Sequence, residues 1–334
     1  MAYEKRFSML QIVLEAPGKF AEREAPVNPT PAGYALVRIR KIGICGSDFH
    51  AYAGRHPIYT YPRIVGHELA CVVVDAPEND RGIQAGDRCA IEPYISCGAC
   101  RACLKGRTNC CEKIQVLGVH IDGGMQEYLS VPVNLLYKST RLSLDQLALV
   151  ETLGIGAHAV RRSGIQPGES AIVVGAGPIG IAAAQFAQAE GASVHMIEKS
   201  PWRREFVGRM GIESSETAED RQADVVFDAT GSAEAMAASV AYVATGGTLV
   251  YVGLTRNPVC IDDGLFHRKE VTLMASRNSC GLFPRIMRLI EEGKIDTTHW
   301  ITDRLKLADV VSGFQDLTAR KTLIKAMVDV SDAG

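Results

Sequence analysis

The first third of the chain carries short runs of apolar and β-branched residues that glycine and proline interrupt. Residues 35–42 alternate between apolar and polar positions, residues 70–74 are apolar throughout, and residues 88–91 follow the turn dipeptide Gly86-Asp87. Short strands separated by turn residues in this way are typical of a β-sandwich or barrel. The pattern therefore predicts a β domain in this part of the chain.

The pattern changes near Ser143, after which apolar strand patterns alternate with helical patterns. Such alternation indicates βαβ units that form a parallel sheet. A helix at residues 283–292 and a segment with strand character at residues 323–328 follow. We therefore predict a β domain that is split in sequence, with an α/β domain inserted into it. The elements predicted for the α/β part are strands at residues 171–174, 193–198, 225–229 and 248–253, and helices at residues 178–190, 201–210 and 233–243.

The composition is that of an ordinary globular protein. The chain has 334 residues, enough for two domains, of which 47% are hydrophobic and 22% charged. A net charge of −2 argues against nucleic acid or an anionic membrane as a partner. The stretches 170–189 and 235–255 lack charges but contain glycines, so we interpret each as a strand joined to a helix rather than a membrane span. The charged N-terminal sequence predicts a cytoplasmic protein without an export signal.

A glycine-rich motif marks the predicted nucleotide site. Gly175-Ala176-Gly177-Pro178-Ile179-Gly180 matches G-x-G-x-x-G, follows the apolar strand at residues 171–174 and opens a helix. In this context the glycines allow a tight turn, and they let a pyrophosphate approach the backbone N–H groups at the helix N-terminus. The motif therefore predicts a dinucleotide cofactor.

An acidic residue at the end of the next strand favours NAD over NADP. Glu198 lies there, and its carboxylate would bond the ribose hydroxyls and repel a 2′-phosphate. The neighbouring cations Lys199, Arg203 and Arg204 weaken this preference. Beyond the glycine motif and Glu198, the candidates for cofactor contacts are Arg203, Thr230, Val252 and Gly253.

Four cysteines are spaced as ligands of a metal ion. Cys97, Cys100, Cys103 and Cys111 form C-x₂-C-x₂-C-x₇-C, which suits a tetrahedral structural zinc. An iron–sulfur cluster is the other interpretation, since closely spaced cysteines serve both, and the adjacent Cys110 could replace Cys111. Without an export signal, the ten cysteines of the chain favour metal binding over disulfides.

A second, scattered set has the composition of a catalytic zinc site. Cys45 precedes Gly46-Ser47, His67 is followed by Glu68, and Glu151 lies far along the chain. Each is unremarkable alone, but together a cysteine, a histidine and a carboxylate give the mixed, open coordination of a catalytic zinc. Asp48 is a candidate acceptor for the second ring nitrogen of His67.

Four segments of the chain, in the order in which they occur, resemble the zinc-containing medium-chain dehydrogenase/reductase superfamily. The resemblance extends over essentially the whole chain. The resemblance implies a fold of the α/β plus β class, with a Rossmann domain of doubly wound parallel sheet inserted into a GroES-like catalytic domain. The segments that carry it are GICGSDFH at residues 43–50, GHE at 66–68, CGACRACLKGRTNCC at 97–111 and GAGPIG at 175–180.

The resemblance also fixes expected domain boundaries. Residues 1–146 and 284–334 are assigned to the GroES-like catalytic domain, with a structural zinc lobe at about residues 94–113. Residues 147–283 are assigned to the Rossmann NAD-binding domain.

The resemblance assigns roles to the scattered set. Cys45 and His67 match zinc ligands, and Glu68 matches an acid that lies near the metal or binds it intermittently. Glu151 stands where typical alcohol dehydrogenases have a cysteine. A glutamate there resembles sorbitol, galactitol and related polyol dehydrogenases, in which it binds zinc directly or through water. Ser47 matches the hydroxyl that passes the alcohol proton to a relay, and His50 matches a relay histidine.

The expected substrate is a polyol or a sugar acid. Residues 50–63 and Ser276-Arg277-Asn278 resemble dehydrogenases that act on such compounds, so His56, Arg277 and Asn278 are candidates to contact it. Arg277 could hold a substrate carboxylate or face the cofactor. The expected reaction is oxidation of a secondary alcohol to the ketone, with two Zn²⁺ per chain and with NAD, in a homodimer or homotetramer built on an edge strand at residues 271–274.

Other functions remain open from the sequence. A threonine or other secondary-alcohol dehydrogenase of the same family would carry the same motifs. A metal-free reductase of the same fold, acting on quinones or enoyl thioesters, would lack the pair Cys45 and His67. A nucleotide-sensing protein without enzymatic activity would bind the cofactor and turn over no alcohol.

Overall fold

The structure, a computed structural model, describes residues 8–331 of the chain. These residues form two compact units. The first unit contains the described residues up to Glu151 together with those from Thr297 onward, and the second runs from Thr152 to Asp296. The chain therefore leaves the first unit, builds the second and returns to finish the first.

The first stretch of the chain is built mainly of short strands, as its pattern predicts. Its elements are β1 (Ser8–Ala16), β2 (Lys19–Pro26), β3 (Tyr34–Ile44), α1 (Gly46–Tyr52), β4 (Glu68–Asp75), β5 (Arg88–Ile91), β6 (Tyr94–Ile95), α2 (Arg101–Leu104), β7 (Gln115–Val116), β8 (Tyr128–Pro132) and β9 (Leu136–Lys138). Ala35, Val37 and Ile39 on β3 are fully buried, so the alternation seen in the sequence separates the core from the surface.

The middle of the chain alternates helices and strands, also as predicted. Helix α3 (Leu144–Ser163) begins in the first unit and continues into the second. The elements that follow are β10 (Ser170–Val174), α4 (Pro178–Ala189), β11 (Ser193–Ile197), α5 (Pro201–Arg209), β12 (Glu213–Ser215), β13 (Ala223–Asp228), α6 (Ala233–Ala238), β14 (Val243–Tyr251), α7 (Asp263–Arg268), β15 (Thr272–Ala275) and α8 (Phe283–Glu291).

Six parallel strands form the sheet of the second unit, in the order β12-β11-β10-β13-β14-β15. Counted from β10, this is the 3-2-1-4-5-6 order of a Rossmann sheet. The strand order reverses between β10 and β13, and the carboxyl ends of strands at such a point form the crevice in which these sheets bind ligands. The predicted doubly wound fold is confirmed, and its crevice lies where the glycine motif follows β10.

The last stretch completes the sheet of the first unit. Its elements are β16 (Ile301–Lys306), α9 (Val310–Ala319) and β17 (Lys325–Asp329). The sheet has the order β16-β17-β3-β4-β5-β9, and β8 also pairs with β3. Because β17 lies directly beside β3, residues from both ends of the chain meet in one hydrophobic core, where Val328 packs with Ile39 and Ile42.

One predicted helix is shorter than expected. The helix expected at residues 233–243 ends at Ala238 and continues as a 3₁₀ turn, Ser239–Tyr242. The next strand begins at Val243 rather than at residue 248, and it includes Gly246-Gly247. The register between β13 and β14 shifts here, and Gly246 has a φ of 80°, so the glycines form an irregular strand start instead of a turn.

The units divide at residues other than the ones expected from the sequence, which were 146 and 283. Helix α8 belongs to the second unit. Gln185 on α4 donates to the backbone carbonyl of Asp296 at 3.0 Å and accepts from the Asp296 N–H at 2.7 Å. Arg285 on α8 also pairs with Glu190. These contacts keep the segment after residue 283 with the α/β unit up to Asp296.

The two charge-free stretches each contain a strand and a helix. Residues 170–189 comprise β10, the glycine turn and α4. Within residues 8–331, no helix is sufficiently long and apolar to cross a membrane.

Candidate functional site

Four cysteines converge in a lobe between β6 and β7. The Sγ atoms of Cys97, Cys100, Cys103 and Cys111 all lie within 4.8 Å of one another, and those of Cys100 and Cys103 are 3.5 Å apart. Four Zn–S bonds of about 2.3 Å in a tetrahedron place the sulfur atoms about 3.8 Å apart. The four side chains therefore have the spacing that a single tetrahedral ion requires. Cys110 is exposed and lies outside this group.

Backbone N–H groups surround the sulfur atoms of the lobe. The N–H groups of Cys97 and Lys113 donate to Sγ of Cys111 at 3.3 and 3.4 Å. Backbone donation from Cys103 lowers the pKa of Cys100 to about 6. The donation to Cys100 favours its thiolate, which is the form that binds a metal ion.

A second cluster forms in the first unit, where the end of β3 lies beside the start of β4. Cys45 follows β3, while His67 and Glu68 come from the segment that opens β4. One ligand atom from each of these three residues lies within 4.8 Å of the other two, and His67 and Glu68 are buried. A sulfur, a nitrogen and an oxygen donor are the ligands that zinc accepts in open, catalytic sites.

The surroundings of this cluster favour a cation. Among the described residues, Nδ1 of His67 has no hydrogen-bond partner, and it lies 3.8 Å from Oδ1 of the buried Asp48. Burial opposes a positive charge on His67, but the charges of Cys45 and Asp48 outweigh burial and raise the pKa of His67. A pocket that stabilises positive charge and offers these donors fits Zn²⁺.

A lysine from the C-terminal segment binds Glu68. Nζ of Lys325 lies 2.6 and 2.7 Å from the two carboxylate oxygens, and it donates to the carbonyl of Ile44 at 3.2 Å. The side chains of Lys325 and Glu68 are only 2% and 1% exposed. Burial opposes the charge of Lys325, but Glu68 outweighs burial and raises the pKa of the lysine. Lys325 therefore neutralises Glu68 within the cluster.

Glu151 lies on α3, outside the three-residue cluster, and its partner is a phenol. The hydroxyl of Tyr94, on β6, donates to Oε1 of Glu151, and both residues are buried. Burial raises the pKa of Glu151, while His67 lowers it and Glu68 raises it further. Glu151 therefore lies close enough to the cluster to interact with its charges.

Helix α1 carries the two residues expected to transfer the proton. Oγ of Ser47 lies 3.5 Å from Nε2 of His67 and also hydrogen-bonds the hydroxyl of Tyr59. The Tyr59 hydroxyl donates to Oδ1 of Asp48 at 3.3 Å. His50 is exposed on the last turn of the same helix. Ser47 therefore faces the cluster, whereas His50 faces solvent.

The glycine motif forms a tight turn between β10 and α4. Gly175 has a φ of 96°, in the region that favours glycine. A Cβ atom on Gly180 would lie 1.8 Å from the carbonyl oxygen of Gly175, so only glycine allows the helix to pack this closely. Gly177 precedes α4, whose first two residues are Pro178 and Ile179. The turn presents the N-terminus of α4 as the motif requires.

The carboxylate of Glu198 joins this turn to the start of α5. Oε2 accepts from the N–H of Ala176 at 2.7 Å, and Oε1 accepts from the N–H of Ser200 at 2.8 Å. Nη1 of Arg203 lies 3.9 Å from Oε2. An acid and a cation therefore both lie at the glycine turn.

The other cofactor candidates lie on two loops that Asp228 connects. The buried carboxylate of Asp228 accepts from the N–H and the hydroxyl of Thr230 at 2.9 and 2.7 Å. Its carbonyl accepts from the N–H groups of Val252 and Gly253, each at 2.9 Å. A Cβ atom on Gly253 would lie 2.3 Å from the N–H of Gly231, so these loops pack backbone to backbone.

The substrate candidates are divided between the two units. In the first unit, the ring of His56 contacts the ring of Tyr59 edge-on, with centroids 4.6 Å apart. In the second unit, Arg277 is exposed and Asn278 has a φ of 52°, which is uncommon for a residue with a side chain. Strained backbone of this kind is often found at functional sites.

Two protein-family models match this chain, one in each of two separate segments. Residues 31–141 match the alcohol dehydrogenase GroES-like domain, and residues 178–292 match the zinc-binding dehydrogenase family. The chain belongs to the zinc-binding alcohol dehydrogenase family. As a member, it is an oxidoreductase with a GroES-like and a Rossmann domain, as the resemblance implied.

The relatives of this zinc-binding alcohol dehydrogenase include sugar-acid enzymes. It is 41% identical over 322 residues to L-galactonate-5-dehydrogenase of Escherichia coli K12, covering 92% of this chain and 94% of that one. A zinc-binding dehydrogenase of Sinorhizobium meliloti bound to NADP superposes with a TM-score of 0.89 at 28% identity, covering 97% and 99%. An alcohol dehydrogenase of Escherichia coli CFT073 in complex with NADH also gives 0.89, at 26% identity, covering 96% and 99%.

Tyr94 and Lys325 were not among the site residues predicted from the sequence. Tyr94 is 57 positions from Glu151, and Lys325 is 257 positions from Glu68. The available signal for Lys325 was a lysine in the otherwise apolar segment 323–328, since a buried lysine needs a partner. Nothing local in the sequence indicated which residue that partner was.

Proposed function

We propose that this dehydrogenase oxidises a secondary hydroxyl group of a polyol or sugar acid to a ketone, with NAD as the hydride acceptor. The cluster of Cys45, His67 and Glu68, with Glu151 beside it, carries the proposal. The cluster offers an open set of zinc donors. At position 151 the chain has a glutamate, as the polyol dehydrogenases that it resembles do. The likeness to L-galactonate-5-dehydrogenase supports a sugar acid as the substrate.

Two metal ions per chain follow from the donor sets. Cys45 and His67 would hold the catalytic zinc together with a carboxylate from Glu68 or Glu151. The lobe cysteines Cys97, Cys100, Cys103 and Cys111 would hold a structural zinc. Zinc, when bound at the catalytic centre, supplies a Lewis acid that lowers the pKa of a hydroxyl group, and NAD, when bound, accepts the hydride.

In this proposal, side chains of α1 carry the proton of the substrate hydroxyl away from the cluster. Ser47 faces the cluster and accepts a hydrogen bond from the substrate hydroxyl, while its bond to Tyr59 fixes the direction of its lone pairs. His50 is exposed and passes the proton to solvent. His56, Arg277 and Asn278 are proposed to contact the substrate, with Arg277 facing a carboxylate if the substrate is a sugar acid.

Replacing Glu198 with alanine will shift cofactor preference toward NADP. Without the carboxylate, ribose hydroxyls lose their acceptor and a 2′-phosphate is no longer repelled, while Arg203 remains beside the turn. A charged hydrogen bond contributes roughly 1.5–3 kcal/mol, so the ratio of kcat/KM for NAD to that for NADP should fall about tenfold or more. Initial rates with both cofactors measure the ratio.

Glu205→Ala is the matched control for this experiment. Glu205 is an exposed acid on the neighbouring α5 and pairs with Arg209. The ratio should not change in this variant. If Glu198→Ala also leaves the ratio unchanged, Glu198 does not select the cofactor.

Formation of NADH with a panel of alcohols tests the proposed function. The panel contains aldonic acids, polyols and L-threonine, and metal content is measured on the same samples. We expect turnover with at least one aldonic acid or polyol, none with threonine, and none after removal of the metal. The absence of NADH formation with every sugar acid and polyol, by metal-replete protein, would refute the proposal.

We also propose an oligomer and a cytoplasmic location. Strand β15 lies at the edge of the second unit's sheet, and Thr272 and Leu273 on it are exposed, so a second copy could extend the sheet into a homodimer or homotetramer. All ten cysteines are unpaired, which is typical of a reducing compartment such as the cytoplasm.

A further inference from the structure

Glu68 and Glu151 are two of the three carboxylates near Cys45 and His67, and they have partners of different charge. The third, Asp48, accepts from the Cys45 N–H and from the Tyr59 hydroxyl. Both oxygens of Glu68 bind the ammonium group of Lys325. Glu151 instead receives a hydrogen bond from the neutral hydroxyl of Tyr94, directed to Oε1. An ionised carboxylate can accept at both oxygens, so Oε2 of Glu151 remains for another partner. One carboxylate is thus neutralised by the protein, and the other is only oriented by it.

This difference determines which carboxylate a divalent cation needs. Glu68 and Lys325 sum to zero charge. A thiolate at Cys45 and a carboxylate at Glu151 supply two negative charges, and a neutral His67 adds none. Since buried charges require compensation, a dication in this pocket is stabilised by Cys45 and Glu151, in addition to the more distant Asp48 on the far side of His67. Of Glu68 and Glu151, Glu151 is therefore the one whose charge no lysine or arginine neutralises by a described hydrogen bond.

Tyr94 is well placed to hold Glu151 in position. Its backbone pairs with Val116 in the β6–β7 ladder, and its side chain is 8% exposed. A glutamate side chain has several rotatable bonds, and fixing it on metal binding costs conformational entropy. A hydrogen bond from a rigid phenol fixes the carboxylate before the ion arrives, as partners of metal ligands commonly do.

We propose that Tyr94 is the positioning residue for Glu151 and that it sets the affinity of the catalytic centre for zinc. The proposal rests on the proposed function in one respect, namely that Cys45 and His67 bind a metal ion. It assigns to Tyr94 no contact with the substrate. Its effect on turnover arises only through the carboxylate that it orients.

Tyr94→Phe tests the proposal, because it removes the hydroxyl and keeps the ring. We expect the dissociation constant of the catalytic zinc to rise about 10–100-fold, the usual effect of removing a hydrogen-bond partner of a ligand. The measurement is competition with a graded series of chelators, followed by metal analysis, and it needs no activity. Thermal unfolding of the zinc-loaded variants checks that each is folded.

Tyr137→Phe is the matched control. The hydroxyl of Tyr137 donates to the buried Glu92 at 2.8 Å, so this variant also removes a phenol from a buried carboxylate. Glu92 belongs to neither cluster of metal donors. Zinc affinity should not change in this variant. An equal loss in both variants would show a general effect of disturbed packing and would overturn the proposal.

Combination with Glu151→Ala separates positioning from other roles. If Tyr94 acts only through Glu151, then Tyr94→Phe should weaken zinc binding in the native background and have no further effect in the Glu151→Ala background. An equal loss in both backgrounds, or no loss in either, would overturn the proposal. Cys45→Ser in the same assay tests whether the cluster binds zinc at all, separately from the role of Tyr94. If it loses zinc while Tyr94→Phe does not, the metal site stands and only the role of Tyr94 fails.

Discussion

Replacing Cys45 with serine, or His67 with alanine, will abolish turnover while the protein still binds NAD. Both residues belong to the cluster whose donor atoms lie within 4.8 Å of one another, and neither belongs to the glycine turn. A metal ion that polarises an oxygen contributes several kcal/mol to catalysis. Since each 1.36 kcal/mol changes a rate tenfold, kcat/KM should fall about a thousandfold or more. Steady-state kinetics measure kcat/KM. Titration with NAD, followed by the quenching of the protein's tryptophan fluorescence, measures cofactor binding.

Cys260→Ser serves as the control for the cysteine variant. Cys260 is exposed and lies outside both groups of metal donors among the described residues, so activity and metal content should be those of the native enzyme. If the folded, metal-assayed Cys45→Ser protein turned over at the native rate, the assignment of a catalytic metal would be wrong.

Replacing Lys325 with methionine will destabilise the first unit more than any exposed substitution. It leaves the carboxylate of Glu68, which is 1% exposed, without its cation and close to Glu151. Removing one partner of a buried ion pair typically costs about 3–5 kcal/mol. We expect the free energy of unfolding to fall by about that amount. Trp300 is buried in the first unit, and Trp202 is the only other tryptophan. Urea unfolding of a Trp202→Phe protein, followed by the fluorescence of Trp300, therefore reports on this unit.

Lys41→Met is the matched control for the stability experiment. Lys41 on β3 pairs with Asp329 on β17 at 2.5 Å, in the same sheet, but its side chain is 23% exposed. Such a pair contributes at most about 1 kcal/mol. Adding Glu68→Gln to Lys325→Met should recover part of the loss, because the unpaired charge disappears. Equal losses in the two lysine variants would show that the burial of the Lys325 pair is not what stabilises the unit.

Most of the α/β unit could be predicted because its signals are local. The apolar strand before Gly175, the proline that opens α4 and the acid that follows β11 each lie within a few residues of the element that they define. The predicted start of the strand at residue 248 was wrong, because strand pairing outweighed the local preference of the sequence. Gly246 and Gly247 indicate a turn when read alone, yet pairing with β13 draws them into β14.

The partners of the metal donors could not be predicted, because they are set by the order of the strands. Glu68 meets Lys325 only because β17 and β4 lie on either side of β3. Glu151 meets Tyr94 because the start of α3, up to Glu151, belongs to the same unit as β6, although 57 positions separate the two residues. A single sequence predicts strands far better than it predicts which strands become neighbours. The residues that tune the site are therefore the ones that only the fold shows.

The position of β17 has a consequence for synthesis of the protein. Residues 152–296 form a continuous stretch, so this part can fold on the ribosome as soon as it has emerged. The other part cannot close its sheet until the last strand is translated, because that strand lies beside β3. A nascent chain that ends at residue 296 therefore holds Cys45, His67 and Glu68 without the amine that neutralises the glutamate. The cluster of Cys45, His67 and Glu68 therefore has its neutralising lysine only once β17 has been made.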